Sequence, residues 1–177
     1  MDKAKNIWII NDKDELILVD KNNMKVKTFL PYASSTGNTT DQLYDLGVLE
    51  DQLYLFYRSG LLICYNLKSH QEIYRQKLPD ELPKGKYENT SYVVPGNNTF
   101  YQLRNGSQGG VMLNYDITRK KWNIVFQTDY RLNSLSIDKD SSIWVSCYMG
   151  LWNIDAGLIN KQYIPNLKLV DGRTINT

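Results

Sequence analysis

Apolar residues fall along this chain in short runs, and polar, turn-forming residues break those runs at short intervals. One run recurs four times. It reads Asn6-Ile7-Trp8-Ile9, then Gln52-Leu53-Tyr54-Leu55, then Asn98-Thr99-Phe100-Tyr101, then Ser142-Ile143-Trp144-Val145. The aromatic residues stand at 8, 54, 100 and 144, at intervals of 46, 46 and 44. A second landmark follows each motif, an apolar or aromatic residue and then Asp or Asn: Val19-Asp20, Tyr65-Asn66, Tyr115-Asp116 and Ile154-Asp155. Such a side chain at a strand end accepts hydrogen bonds from backbone N–H groups two residues on and closes a turn. A third strand-like run comes next, over residues 25–30, 72–78, 122–128 and 159–164, and another precedes the motif over 46–49, 91–94 and 135–137.

Each full unit therefore predicts four short strands joined by tight turns. Four strands in a repeat of about 45 residues is the blade pattern of a β-propeller. The motif strand supports this, because Ile7-Trp8-Ile9-Ile10 and Leu53-Tyr54-Leu55-Phe56 are apolar without alternation. Such a run suits a strand buried on both faces. The outermost strand is wetter, as in Lys25-Val26-Lys27. Helices are excluded by the frequent turn residues, and Asn105-Gly106 and Gly109-Gly110 act as hairpin signals.

The fold expected is all-β: a propeller segment of four four-stranded blades. Their approximate limits are 1–31, 41–79, 88–129 and 132–165, with residues 166–177 as a connector to a further blade. The run Asp2-Lys3-Ala4-Lys5-Asn6-Ile7-Trp8 aligns with Asp138-Lys139-Asp140-Ser141-Ser142-Ile143-Trp144. The units are thus cut at one phase, as in a part of a larger ring, and no polar capping unit is evident. Open ends of this kind expose blade faces and strand edges, which invites self-association.

Composition narrows the classes. A hydrophobic fraction of 42% and a charged fraction of 23% are those of a folded globular chain. Net charge is +2, and the short basic runs Arg119-Lys120-Lys121 and Lys84-Gly85-Lys86 sit in turns, so nucleic acid is not an expected partner. No run approaches the length needed to span a bilayer, so the segment itself is expected to make no membrane contact. The N-terminal stretch lacks the apolar core of a signal peptide, which leaves a cytosolic protein or a piece of a longer chain. Cys64 and Cys147 lie in apolar strands, as buried thiols or as a disulfide pair.

One unit carries a family resemblance. Ile137-Asp138, Asp140, Ile143-Trp144, Gly150-Leu151-Trp152 and Asp155 match the two-component-regulator propeller repeat, with Ser141 where that repeat has Gly and Ser146-Cys147 where it has Gly-Thr. Asn6-Ile7-Trp8-Ile9 with Val19-Asp20 is similar more loosely, and the two middle units are degenerate. The resemblance implies a role in the periplasmic sensor region of a membrane-anchored hybrid two-component histidine kinase, many of which respond to glycan fragments in gut bacteria. In that family the propellers precede an immunoglobulin-like domain, a membrane helix and the kinase.

Little here suggests catalysis. His70 is the single histidine and falls in a turn, and metal sites built on several His or four Cys are excluded by count. Acidic pairs (Asp12, Asp14 and Glu15; Asp138 and Asp140) could in principle run glycosidase chemistry but fall in turns, where such residues shape the backbone. No metal and no cofactor is expected. The loop after each motif strand is the expected recognition surface. It holds Asn11 and Asp12, then Tyr57 and Arg58, Arg104 and Asn105, and Tyr148 and Met149. Arg and Asn offer several hydrogen bonds to hydroxyls or carboxylates, and Tyr an apolar face for a sugar ring or peptide side chain.

The function expected is a non-catalytic sensory, ligand-recognising segment responsive to glycans. Its expected partners are an oligosaccharide, neighbouring blades or domains of the parent chain, and other copies. A protein-interaction scaffold is the alternative, and a carbohydrate-active propeller enzyme a third reading.

Overall fold

The computed structural model describes residues 6–13, 15–29, 41–82, 89–96, 98–165, 167–168 and 174–175. Asp14, the Lys84-Gly85-Lys86 run and most of the expected connector over 166–177 lie outside the described residues. Every regular element among the described residues is a β-strand, and every pairing is antiparallel. The chain divides into two compact units, residues 1–78 and 79–177.

The first unit holds two sheets. One has three strands in the order β1 (Ile7–Ile10), β2 (Leu16–Val19) and β3 (Val26–Phe29). The other has four: β4 (Leu43–Leu49), β5 (Gln52–Tyr57), β6 (Leu62–Asn66) and β7 (Glu72–Gln76). In the second unit a third sheet runs β8 (Asn89–Gly96), β9 (Thr99–Gly106), β10 (Gly109–Asp116) and β11 (Lys121–Thr128). A fourth runs β12 (Leu132–Ile137), β13 (Ile143–Cys147), β14 (Gly150–Ile154) and β15 (Lys161–Pro165). A small ladder joins β16 (Leu167–Lys168) to β17 (Thr174–Ile175). Each four-stranded sheet is a meander in chain order, the arrangement of a propeller blade.

The expected turn residues do their work at one end of every sheet. Asp20, Asn66, Asp116 and Asp155 each accept a backbone N–H in the following turn, from Asn22, Lys68, Arg119 and Ile159 at 2.8–2.9 Å. Three or four residues further on, Met24, His70, Lys120 and Leu158 all take positive φ, between 52° and 60°. The turns between the first two strands repeat the device at Glu50, Asn98 and Ser141. One backbone plan is thus written four times with different side chains.

The ladders correct one alignment. Ile7, Leu53, Phe100 and Ile143 pair with Val19, Tyr65, Tyr115 and Ile154, the residues that directly precede the four caps. Tyr101, not Phe100, therefore holds the place of Trp8, Tyr54 and Trp144, and the intervals become 46, 47 and 43. The hairpin turn of the third sheet is Ser107-Gln108, set between the paired glycines Gly106 and Gly109. At Gly109 φ is +113°, and a Cβ would lie 2.0 Å from the Thr128 carbonyl oxygen, so only glycine fits.

Each unit buries its core between its own two sheets. In the first, Trp8 and Leu16, with Ile10 and Leu18 beside them, pack on Leu43, Leu53, Leu55, Tyr57 and Ile63. In the second, Leu103, Met112 and Phe126 pack on Leu132, Leu135, Ile143 and Val145. Burial of each such aliphatic side chain contributes about 1.5–3 kcal/mol. β5 is buried on both faces, as its continuous apolar run predicts. β1 departs from that expectation: Ile7 is 39% and Ile9 44% exposed.

Candidate functional site

Antiparallel order places the loop after each motif strand at the sheet end opposite the Asx-capped turns. Side chains differ there from sheet to sheet. In the first sheet Asn11 braces its own loop: its Oδ1 accepts the N–H groups of Lys13 and Glu15, and its Nδ2 donates to the Glu15 carboxylate. In the second, the Asp41 carboxylate accepts the Ser59 N–H and hydroxyl, and the Arg58 N–H donates to the Gln42 carbonyl. The third sheet is tied to the fourth. Asn105 Nδ2 donates to the Leu132 carbonyl at 2.7 Å, and the Leu132 N–H donates to Asn105 Oδ1 at 2.8 Å.

This geometry divides the expected recognition residues. Tyr57, Arg104 and Asn105 are not loop residues. They close strands β5 and β9 inside the ladder and are 0%, 1% and 4% exposed. The reason is strand length. β9 and β10 stay paired out to Gly106 and Gly109, which draws Arg104 and Asn105 into the sheet. Burial accordingly holds the Tyr57 hydroxyl in its neutral form, its pKa raised first by desolvation and then by Tyr65 and Asp41. Asn105 spends its amide on Leu132. Arg58, Tyr148 and Met149 are exposed, Tyr148 at 72% and Met149 at 46%.

Beside Tyr148 lies a feature absent from the expected set. Four aromatic rings form a row across the seam between the third and fourth sheets. Phe126 and Trp152 have centroids 5.1 Å apart, Trp152 and Tyr163 5.0 Å, and Tyr163 and Tyr130 are stacked at 5.9 Å with planes 13° apart. Trp152 and Tyr163 are cross-strand partners on β14 and β15, which brings their rings into contact at a tilt of 41°. The Tyr163 hydroxyl donates to the Met149 carbonyl at 2.8 Å and so fixes the loop that carries Tyr148. Tyr130, in the connector between sheets, is the exposed end of the row at 39%. The available signal was one aromatic pair, Trp152 and Tyr163, on either side of the cap at Asp155.

The acidic residues brace turns. The Asp140 carboxylate accepts from Ser142, which lowers its pKa, and the Asp155 carboxylate is lowered chiefly by the Ile159 N–H and then by Asn160. The His70 N–H donates to the Asn66 carbonyl, closing its turn. Cys64 and Cys147 are buried and not joined in a disulfide, and they lie in separate units. Among the described residues no cluster of His, Cys, Asp and Glu gathers to hold a metal ion.

No family model matches this chain, and no curated protein sequence matches it. Solved structures do match in fold. The extracellular domain of BT4673 from B. thetaiotaomicron, described as a one component system, aligns with a TM-score of 0.65 at 14% identity, over 93% of this chain and 22% of that one. The extracellular domain of BT3049 from the same organism, described as a hybrid two component system, aligns at 0.63 and 12%, over 94% and 21%. The β-propeller domain of Cps50 (Swd1) from Myceliophteria thermophila aligns at 0.61 and 11%, over 97% and 55%. This chain thus spans from about a fifth to about half of these proteins, and its fold is that of a β-propeller segment.

Proposed function

We propose that this chain is a non-catalytic, ligand-recognising part of a periplasmic two-component sensor, and that it reads oligosaccharides at the seam between its third and fourth sheets. The aromatic row ending at Tyr130, with exposed Tyr148 beside it, carries this reading. Tyr163 and Tyr130, stacked with planes 13° apart, present a rigid apolar face suited to a pyranose ring. The likeness in fold to two extracellular sensor domains supports the compartment and the sensory role. In such a sensor the signal travels as a rigid-body shift, because packed blades do not deform continuously. Arg58, in the first unit, adds a separate exposed hydrogen-bond donor.

The test is a thermal-shift panel of oligosaccharides on the whole chain and on a Tyr130→Ala, Tyr148→Ala variant. A stabilising sugar whose affinity falls about tenfold or more in the variant is the expected result, since a ligand raises the melting point by mass action. Equal stabilisation of both proteins, or of neither, overturns the reading. Tyr148 and Met149 protruding together also suit a protein partner, so a chain that no sugar stabilises points to an interaction scaffold. Release of shortened products from the panel points to a carbohydrate-active enzyme.

A further inference from the structure

Tyr130 stands in the connector that leaves β11 at Thr128 and enters β12 at Leu132. That connector passes over the end of β10, where two glycines make room for it. A Cβ on Gly109 would lie 2.0 Å from the Thr128 carbonyl oxygen and 2.7 Å from the Asp129 Cα. A Cβ on Gly110 would lie 2.7 Å from Asn105 Oδ1, 2.7 Å from the Leu132 Cγ and 3.0 Å from the Tyr130 carbonyl oxygen. Only glycine lets the two backbones approach so closely.

Hydrogen bonds then fix the course of the connector. The Tyr130 N–H donates to Thr128 Oγ1 at 3.3 Å. Two residues on, the Asn105 amide holds both the N–H and the carbonyl of Leu132. Leu132 is in turn the cross-strand partner of Cys147, the residue before Tyr148. The Cys147 thiol donates to the Gly150 carbonyl at 3.3 Å and closes the turn that carries Tyr148 and Met149. Tyr163, stacked on Tyr130, donates to the Met149 carbonyl of the same turn. Both exposed tyrosines are thus tied through short links to Leu132, and Leu132 is held by Asn105.

We infer that Asn105 and Gly110 are positioning residues for sugar recognition, and that they act through Leu132 and the connector to set Tyr130 against Tyr163 and beside Tyr148. This inference rests on the reading of the seam as the recognition surface. Asn105 is 4% exposed and its amide is spent on Leu132, so its role is to place the aromatic face and not to meet the ligand. A face fixed before binding loses less freedom when a ligand arrives, which is how a buried residue raises affinity for a sugar it does not touch.

Two measurements on the whole chain test this: near-ultraviolet circular dichroism without ligand, and thermal-shift affinity for cello-, xylo-, malto- and manno-oligosaccharides. Asn105→Ala and Gly110→Ala should each reproduce most of the aromatic dichroism change caused by Tyr130→Ala, and each should weaken sugar binding about tenfold. Asn66→Ala, at the capped end, should change neither. If Asn105→Ala or Gly110→Ala does not fold, Asn105→Asp takes its place, since it keeps the acceptor for the Leu132 N–H and loses only the donor to the Leu132 carbonyl. Aromatic dichroism that the Asn105 and Gly110 variants leave intact overturns the inference. So does a sugar that binds the unchanged chain and these variants alike, and the seam reading then stands. If no sugar stabilises the unchanged chain, the seam reading fails and the inference falls with it.

Discussion

The two ends of each sheet are built by different means. At the capped end, Asp20, Asn66, Asp116 and Asp155 close turns through short local hydrogen bonds, followed by a residue at positive φ. The side chain at that positive-φ position varies from Met to His, Lys and Leu, because the backbone alone has to comply. At the other end Asn11 braces its own loop in the first sheet, and in the other three sheets side chains reach partners far along the sequence. Ser59 is held by Asp41, Leu132 by Asn105, and the Met149 carbonyl by Tyr163, over separations of 18, 27 and 14 residues. No two sheets use the same device. The capped end is thus repeated scaffold, and the other end is where one sheet can differ from the next without loss of the fold. Recognition surfaces belong on such variable loops held by a rigid frame.

Asn105 and Asn66 put this contrast to its hardest test, since they are the same residue at opposite ends. Asn105→Ala removes two buried hydrogen bonds, to the N–H and to the carbonyl of Leu132, which costs about 3 kcal/mol. Asn66→Ala frees two exposed N–H groups, of Lys68 and Ser69, that water can take up, and costs about 1 kcal/mol. Urea unfolding followed by tryptophan fluorescence measures both. Trp122, Trp144 and Trp152 lie in the second unit and report on the Asn105 clamp. Equal losses from the two substitutions would erase the distinction between the ends.

The same contrast explains what could be read from sequence. The four-fold repeat, the strand order and all four caps were legible, because they rest on local residue types at regular spacing. The slip from Tyr101 to Phe100 arose where an aromatic pair stood in tandem, and only the pairing with Asn114 and Tyr115 resolves it. Arg104 and Asn105 read as loop because polar residues after an apolar run usually end a strand. Their burial depends on a ladder that extends to Gly106 and on a partner 27 residues away. The aromatic row was hidden for the same reason: Phe126, Tyr130, Trp152 and Tyr163 come from four separate segments. Local grammar shows in the sequence, and contacts between sheets do not.

Ser141 offers the smallest and sharpest test of the repeated backbone plan. It stands where the resembling repeat has glycine, and its φ of 67° lies in the left-handed region. A side chain there costs about 1–2 kcal/mol against glycine. Glycine gives back about 0.4–1 kcal/mol through the greater freedom of the unfolded chain. Ser141→Gly should therefore stabilise the protein by about 0.5 kcal/mol, seen as a small rise in the urea midpoint at unchanged slope. In this turn the Ser141 N–H donates to the Asp138 carbonyl and the Asp138 N–H to the Ser142 carbonyl, and neither bond uses the Ser141 side chain, so both survive the change. Ser141→Val should move the midpoint the other way, since a β-branched residue is poorly tolerated at positive φ. A midpoint that falls with glycine would mean that the Ser141 side chain contributes more than its backbone strain removes, and the turn would not be the pure backbone device that its six counterparts suggest.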